Sequence, residues 1–179
     1  MTIGPTRYLL VMAENQLIAA EVAPAYRFLD AVAVQTDPGG PPSVTAAFAL
    51  ASSVPGILVV NAHYNSQEGF VDYMLLGFVG GRLSPLYRGP SLYSVQSNDP
   101  ACEEKVVTQR LEAFGALPTS HDGFADLSLK VAEEGECRTG ATTTMLSAKR
   151  VSVVLTWNAE TRKYAGGEKE LASLARRPQ

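Results

Sequence analysis

The chain has 179 residues, of which 46% are hydrophobic and 18% are charged, and its formal net charge is -3. This composition is that of a folded globular protein, and the length suffices for one domain with a sizeable core. The acidic balance argues against a nucleic-acid partner, which would need clustered Lys and Arg, and no apolar run reaches the roughly 18 residues that span a bilayer.

The chain opens with three predicted strands. Residues 7–13 and 16–22 are apolar runs separated by Glu14-Asn15, which suits a tight hairpin turn. Residues 26–34 alternate as a third strand, and residues 36–42, TDPGGPP, carry the strongest loop signal in the chain. We therefore expect a three-stranded opening unit, followed by a loop that is too short and too early to be a domain linker.

The middle of the chain continues in short apolar segments. Residues 43–50 and 56–61 are predicted strands, although the alanine-rich first segment also has helical propensity. Gly80-Gly81 separates two apolar alternations and predicts a hairpin, because the turns that suit twisted strands need positive φ. Pro85 predicts that the returning strand lies at an edge. Residues 104–114 fit a strand or a short helix.

The last third has the strongest strand signal, at residues 142–157, followed by a polar turn. We expect Trp157 and Tyr164 to form a cross-strand aromatic pair there. Residues 166–179 are predicted to form a short helix or a flexible tail after a single β domain over residues 1–165. Roughly ten strands with turns between them indicate an all-β fold: an antiparallel sandwich, a barrel or a partial propeller.

Two cysteines, Cys102 and Cys137, flank strand-like segments and lie in polar surroundings. This favours a disulfide over two free thiols, which are usually found among apolar side chains. Because such bridges persist in oxidising compartments, we expect a periplasmic or secreted protein, with a cytoplasmic location as the alternative. The N-terminus lacks the pattern of a secretory signal, so export would require a leader ahead of Met1.

Residues 120–127 combine a turn, His121-Asp122-Gly123, with an acidic step at Asp126-Leu127 ahead of an alternating strand. This stretch resembles the calcium loops of FG-GAP and VCBS repeat proteins, whose pattern is D-x-D-x-D-G-x-x-D-L. Asp122-Gly123 matches the fifth and sixth positions of that loop, and Asp126-Leu127 matches the ninth and tenth. The resemblance covers about ten of the 179 residues.

The first and third positions of the loop fall on Pro118 and Ser120, where the pattern has carboxylates. The resemblance implies a strand after the loop and a weak calcium site at Asp122 and Asp126, since calcium takes six to eight oxygen ligands. The alternative is a metal-free turn in which Gly123 supplies backbone freedom and the two carboxylates cap local N–H groups.

Signs of catalysis are sparse in this sequence. A Ser-His-Asp hydrolase would use His63 or His121, the only histidines, but the chain has no G-x-S-x-G elbow. Small β domains without a catalytic constellation usually act by binding. The sequence therefore favours a protein-binding module, such as an inhibitor or immunity-type protein, over a calcium- or carbohydrate-binding accessory domain and over a hydrolase.

The predicted contact surface is the loop over residues 61–70, NAHYNSQEGF. It carries His63, Tyr64, Asn65 and Phe70, and Tyr and Asn are residue types favoured at contact surfaces. A second candidate loop covers residues 94–100. The alternative for the first is an ordinary hairpin connection.

Overall fold

The computed structural model describes residues 2–3, 6–22, 26–34, 40–65 and 68–174, with side chains from residue 7 onward. Within these ranges the chain forms two antiparallel sheets and one short helix. The all-β prediction is confirmed. Of the three architectures considered, the structure is a sandwich, because neither sheet closes into a barrel.

The first sheet is the expected opening unit with a two-residue strand added at its edge. Its strands follow one another in chain order: β1 (Thr2–Ile3), β2 (Thr6–Ala13), β3 (Gln16–Val22) and β4 (Tyr26–Ala33). The predicted turn at Glu14-Asn15 joins β2 to β3, with Ala13 opposite Gln16. Glu14 adopts a φ of 51°, the left-handed conformation that such tight turns require.

The second sheet contains the next eight strands, each paired with its neighbours in sequence. They are β5 (Pro42–Ala51), β6 (Val54–Tyr64), β7 (Glu68–Val79), β8 (Arg82–Asp99), β9 (Cys102–His121), β10 (Phe124–Thr139), β11 (Thr142–Asn158) and β12 (Lys163–Ala165). The single helix, α1 (Glu168–Leu171), follows the last strand. Gly80 and Gly81 both have positive φ at the predicted β7–β8 turn.

The two undecided segments are both strands. The segment 43–50 lies within β5, and the segment 104–114 lies within β9, so the helical alternatives are wrong. In β9, Val106 and Val107 pair with β8 on one side and β10 on the other, and this two-sided hydrogen bonding outweighs the helical spacing of the apolar residues.

Strand β8 is paired differently along its two halves. Its hydrogen-bonded register with β9 runs only from Ser94 to Asp99, whereas its register with β7 runs from Arg82 to Val95. The edge position predicted from Pro85 is wrong for the strand, because β8 lies between β7 and β9 in the sheet. The half that contains Pro85 pairs with β7 and, in the described part of the chain, has no register with β9. On the N-terminal side of Ser94, β8 is no longer paired with β9, and the two strands separate.

Two hydrophobic cores result from this arrangement. The larger lies on the concave side of the eight-stranded sheet and includes Leu75, Leu129 and Leu155. The smaller lies between the two sheets, where Leu17 of β3 packs with Ile57, Met74 and other residues of β6 to β8. Strands β6 and β7 contribute to both cores, which explains why their residues are apolar at consecutive positions.

The predicted disulfide is present between Cys102, at the start of β9, and Cys137, near the end of β10. It joins adjacent strands across 35 residues with a Cα–Cα distance of 5.5 Å. On the chain-entropy model, closing this loop stabilises the fold by about 3–4 kcal/mol. In the ranges that the structure describes, no helix has the length and hydropathy needed to cross a membrane.

The C-terminal segment packs onto the larger core. Tyr164 of β12 lies opposite Trp157 of β11, and their rings meet edge to face with centroids 5.4 Å apart, which confirms the predicted aromatic pair. Leu171 and Leu174 also contact this core. The predicted short helix is therefore found as α1, docked on the sheet, while residues 175–179 lie outside the described ranges.

Candidate functional site

The four residues predicted to contact a partner lie at the end of the β6–β7 hairpin. His63 is directly opposite Phe70, and Tyr64 is opposite Gly69. Asn65 closes the described part of the turn: its Oδ1 accepts a hydrogen bond from the Glu68 N–H, and its own N–H donates to the Glu68 carbonyl, both at 2.9 Å. Asn65 thus stabilises the hairpin end.

Because strand side chains alternate, these residues face two different directions. His63 and Phe70 share one face of the sheet, and Tyr64 lies on the other. Tyr64 is 68% exposed and its ring covers Gly69, where an added Cβ would lie 2.5 Å from the tyrosine Cδ1. The hairpin end therefore presents Tyr64 to solvent, while Phe70 belongs to a cleft beside it.

The cleft has a volume of about 530 Å³ and opens where β8 and β9 separate. One wall is the segment 87–93 of β8, and the opposite wall is the C-terminal segment with α1. Most of its lining is apolar. The apolar side chains are Phe70, Tyr87, Pro90, Leu92, Tyr93, Leu171, Ala172 and Leu174.

Among the hydrogen-bonding groups of the lining, the Gln109 amide, the Arg88 guanidinium and the Tyr87 hydroxyl have different surroundings. Gln109 is buried, and its Nε2 donates to the Glu133 carboxylate at 2.7 Å. Arg88 is exposed. Burial raises the pKa of Tyr87, and the charge of nearby Glu168 raises it further, so this phenol keeps its proton and can donate a hydrogen bond at neutral pH.

The His121-Asp122-Gly123 segment forms the β9–β10 hairpin turn. Asp122 and Gly123 have φ values of 49° and 80°, as a two-residue type I′ turn requires. Asp122 is an exposed turn residue, whereas Asp126 is buried at an irregularity in the β9–β10 register. The structure thus places the two predicted calcium ligands in different surroundings.

Asp126 already has two side-chain partners. Hydrogen bonds from Thr119 and then from His121 lower the pKa of Asp126, and the His121 Nδ1 lies 2.6 Å from its Oδ1. Among the residues that the structure describes, no three His, Cys, Asp or Glu side chains come together as metal ligands would. Calcium binding at Asp122 and Asp126 remains a prediction.

The His121–Asp126 pair also meets one requirement of the hydrolase alternative, an imidazole held by a carboxylate. The hydroxyl in this cluster belongs to Thr119 and bonds to Asp126, on the carboxylate side of the imidazole. The pair does not line the cleft described above. The pair therefore has a structural role: it links the two strands of the β9–β10 hairpin through a side-chain hydrogen bond.

The second candidate loop, residues 94–100, is mostly strand. Residues 94–99 belong to β8 and pair with β9, and the Ser94 and Thr108 hydroxyls lie 3.1 Å apart across the two strands. The interpretation as a loop is wrong, because backbone pairing with β9 outweighs the polar composition of SVQSNDP. Only Pro100 lies in the turn.

Sequence reasoning missed one surface, the outward face of the first sheet. Its exposed apolar side chains are Leu9 and Val11 of β2 and Tyr26 and Phe28 of β4. Leu9 and Phe28 both lie in register with Ala20 of β3, so they share this face. A signal was available: residues 8–12 are apolar at odd and even positions alike, which predicts a strand covered on both faces.

No protein-family model, no curated protein and no solved structure matches this chain.

Proposed function

We propose that this protein is an extracytoplasmic protein-binding module, of the class that includes inhibitor and immunity-type proteins. The observation that carries the proposal is the outward apolar face of the first sheet. The Cys102–Cys137 bridge supports the compartment, because disulfides persist where the environment is oxidising.

The outward face is apolar across three strands. Leu9, Ala20 and Phe28 form one row across it, and Val11, Ile18 and Ala31 form the next. Tyr26 and Phe28 are 75% and 66% exposed. The largest contiguous exposed apolar patch of a protein often marks an interaction site, and aromatic side chains are enriched among the residues that dominate binding energy.

The size of the face favours a different protein over a second copy. Three strands of seven or eight residues present a face of about 25 Å by 14 Å, or about 350 Å². A stable interface buries about 800 Å² on each partner. Face-to-face packing of two copies would bury less than half of that area, so we expect a partner whose contact extends past the sheet onto neighbouring surface.

The hairpin end at Tyr64 is a second contact point. Its exposed ring and the turn held by Asn65 suit a partner surface, as expected from the sequence. Of the other two predicted contact residues, Phe70 lines the cleft and His63 shares its face. We therefore assign Tyr64 to the contact surface and treat the cleft separately.

The test is selection from a displayed library of protein fragments of the source organism, panned against the oxidised full chain. We expect selected fragments to lose about tenfold or more in affinity for a Tyr26→Ser, Phe28→Ser double variant, since exposed aromatic residues dominate such contacts. Tyr64→Ala is expected to weaken binding less.

The matched control is Val154→Ser, which removes an exposed apolar side chain from β11 of the other sheet. Fragments that bind all variants equally would contradict the proposed surface. Sedimentation of the free protein over a range of concentrations provides a second check, because a stable dimer abolished by the Tyr26→Ser, Phe28→Ser change would replace the foreign partner by a second copy.

A further inference from the structure

The cleft between β8 and the C-terminal segment has a chemistry of its own, separate from the outward face of the first sheet. We propose that it binds a small hydrophobic amine in its protonated form. The apolar part of this ligand lies against Leu92, Leu171 and Leu174, and its ammonium group binds the Glu168 carboxylate.

The size and lining of the cleft fit a small organic molecule. Its volume of about 530 Å³ falls within the about 300–1,000 Å³ typical of ligand sites, which are mostly apolar with a few placed polar groups. Leu92 lines it from β8, and Leu171 and Leu174 line it from the C-terminal segment. These leucines and Tyr87 belong to the larger core or pack against it, so they lie on the same side of the eight-stranded sheet. Such walls suit an aromatic ring or a short aliphatic chain.

The wall formed by the C-terminal segment is fixed in place. Gly166 and Gly167 have φ values of 124° and 79°, and an added Cβ at Gly167 would lie 1.9 Å from a Val153 methyl carbon. Leu174 is buried beyond α1. Because both ends of the segment are packed against the sheet, the cleft is formed before a ligand arrives, which reduces the entropic cost of binding.

Glu168, at the start of α1, supplies a negative charge at the cleft. Burial raises the pKa of Tyr87 and the charge of Glu168 raises it further, so the carboxylate and the phenol lie near each other. In the part of the chain that the structure describes, Glu168 forms no ion pair with a basic side chain. Its carboxylate accepts one hydrogen bond, from the Gly166 N–H at 3.3 Å, and so retains acceptor capacity for a ligand.

No basic side chain shares this side of the cleft with Glu168. Among the described residues that line the cleft, Arg88 is the only basic one. It follows Tyr87 in β8 and lies opposite Met74 of the smaller core, so its side chain is on the face of the strand away from Tyr87. On that face Arg88 lines a separate hollow with Asp72. The guanidinium therefore does not neutralise the Glu168 carboxylate.

An apolar cleft with one unpaired carboxylate selects an apolar guest that carries a positive charge. An ammonium group has three N–H donors and no acceptor, which suits the free oxygens of Glu168. Tyr87 adds an aromatic face, which attracts a cation, and its phenol remains neutral at neutral pH. An anionic guest would be repelled by Glu168. The charged end of the guest is thus expected at α1, with the apolar end against the leucines.

Calorimetry and NMR titration of the oxidised full chain test this proposal with 3-phenylpropylamine and hexylamine as probes. We expect a dissociation constant of about 1 mM or tighter, as befits ligands of this size, and shifts of amide signals in residues 87–93 and 166–174. The neutral analogue 3-phenylpropanol should bind about fivefold more weakly, because it lacks the charge, and a carboxylate at an exposed rim contributes modestly. The anion 3-phenylpropionate should bind more weakly still.

Glu168→Gln is expected to weaken amine binding about fivefold, to the level of the alcohol, and to leave alcohol binding unchanged. The matched control is Glu170→Gln, which makes the same change of charge at an exposed position of α1 outside the cleft lining and should leave both unchanged. Ala172→Trp, at an exposed position of the lining, should fill the cleft and abolish binding of both probes while the melting temperature stays near that of the wild type.

The proposal fails if neither amine binds at about ten times the expected dissociation constant, if amine and alcohol bind equally, or if Ala172→Trp leaves binding intact. Equal loss of amine binding in Glu168→Gln and Glu170→Gln would also contradict it, since the effect would then reflect net charge alone. A peptide with a free amino-terminal phenylalanine is the last probe. Binding of this peptide without binding of the free amines would replace the small molecule by the N-terminus of a polypeptide, and would overturn the proposal.

Discussion

The two sheets are both antiparallel meanders, but they bury their apolar side chains in different ways. The eight-stranded sheet bends around its own core, so β5 at one edge approaches β9 and β10 near the other. The first sheet has apolar side chains on both faces and covers only the inner one, against β6 to β8. The large sheet therefore buries one face by itself and relies on the first sheet only at β6 to β8, whereas the small sheet buries nothing without its neighbour.

This difference has a consequence for stability as well as for binding. The first sheet is joined to the second through the small core and through Asp30, whose Oδ2 accepts a hydrogen bond from the Leu83 N–H at 2.8 Å. A region held by few contacts opens at lower free energy than the global fold. We expect the first sheet to open locally while the second stays folded.

The largest effect should come from the core of the eight-stranded sheet. Leu129 is fully buried between Phe114 of β9 and Val153 of β11. Leu129→Ala should reduce the free energy of unfolding by about 2–5 kcal/mol through lost burial and a cavity. Denaturant unfolding measures it, with Val154→Ala on the exposed face of β11 as the control. If both variants lowered the free energy of unfolding by the same small amount, the prediction that this core stabilises the fold would be contradicted.

Loss of the disulfide should have the next largest effect. The bridge ties the start of β9 to the end of β10, so a Cys102→Ser, Cys137→Ser double variant should lose about 3–4 kcal/mol on the chain-entropy model. A melting curve of the wild type with reductant should show the same loss. The double variant itself should not respond to reductant. An unchanged melting temperature of the reduced wild type would contradict the prediction and weaken the assignment to an oxidising compartment.

Removal of the link between the sheets should act locally. Asp30→Ala leaves the Leu83 N–H without its acceptor and should cost about 1–3 kcal/mol. Hydrogen exchange should then speed up in β2 to β4 and stay unchanged in β9 to β11. Asp30→Asn keeps an amide oxygen as acceptor and serves as the conservative control. Equal acceleration in both sheets would show that they unfold as one unit.

Acid should affect the β9–β10 hairpin through Asp126. The pKa of this carboxyl is lowered in the folded state by hydrogen bonds from Thr119 and His121, so its contribution to stability is present above the ordinary aspartate pKa and is lost as pH falls through the lowered value. The stability difference between wild type and Asp126→Asn should therefore shrink below about pH 4. A difference that stays constant with pH would disprove the role of the charge.

Much of the fold was predictable because its turns are encoded locally. Gly80-Gly81 and Asp122-Gly123 connect strands with residue types that favour positive φ, and the apolar runs on either side located the turn at Glu14-Asn15. The lengths of the strands could not be predicted in the same way, because β8 and β9 continue through polar stretches in which only backbone pairing holds the strand. Alternation along the chain predicts which residues share a face, but not which strand will supply the hydrogen bonds.

The candidate sites depend more on distant parts of the chain. The cleft is lined by distant parts of the chain, such as Phe70, Tyr87 and Leu171, because β8 and β9 separate and the C-terminal segment packs beside them. No local pattern contains that arrangement. Likewise, Asp126 reaches His121 and Thr119 at an irregularity in strand register. The strand expected after this turn is β10, but the environment of each carboxylate is set by the hairpin.

Calcium provides the smallest expected effect and separates the two interpretations of that hairpin. Asp122 is an exposed turn residue, and the Asp126 carboxylate is occupied by Thr119 and His121, so a calcium ion would have to displace both hydrogen bonds to gain one buried ligand. Because calcium needs six to eight oxygens, we expect no change in melting temperature between excess calcium and chelator. A rise in melting temperature with calcium that Asp126→Asn abolishes would instead establish the site, and would require the His121–Asp126 pair to open when the ion binds.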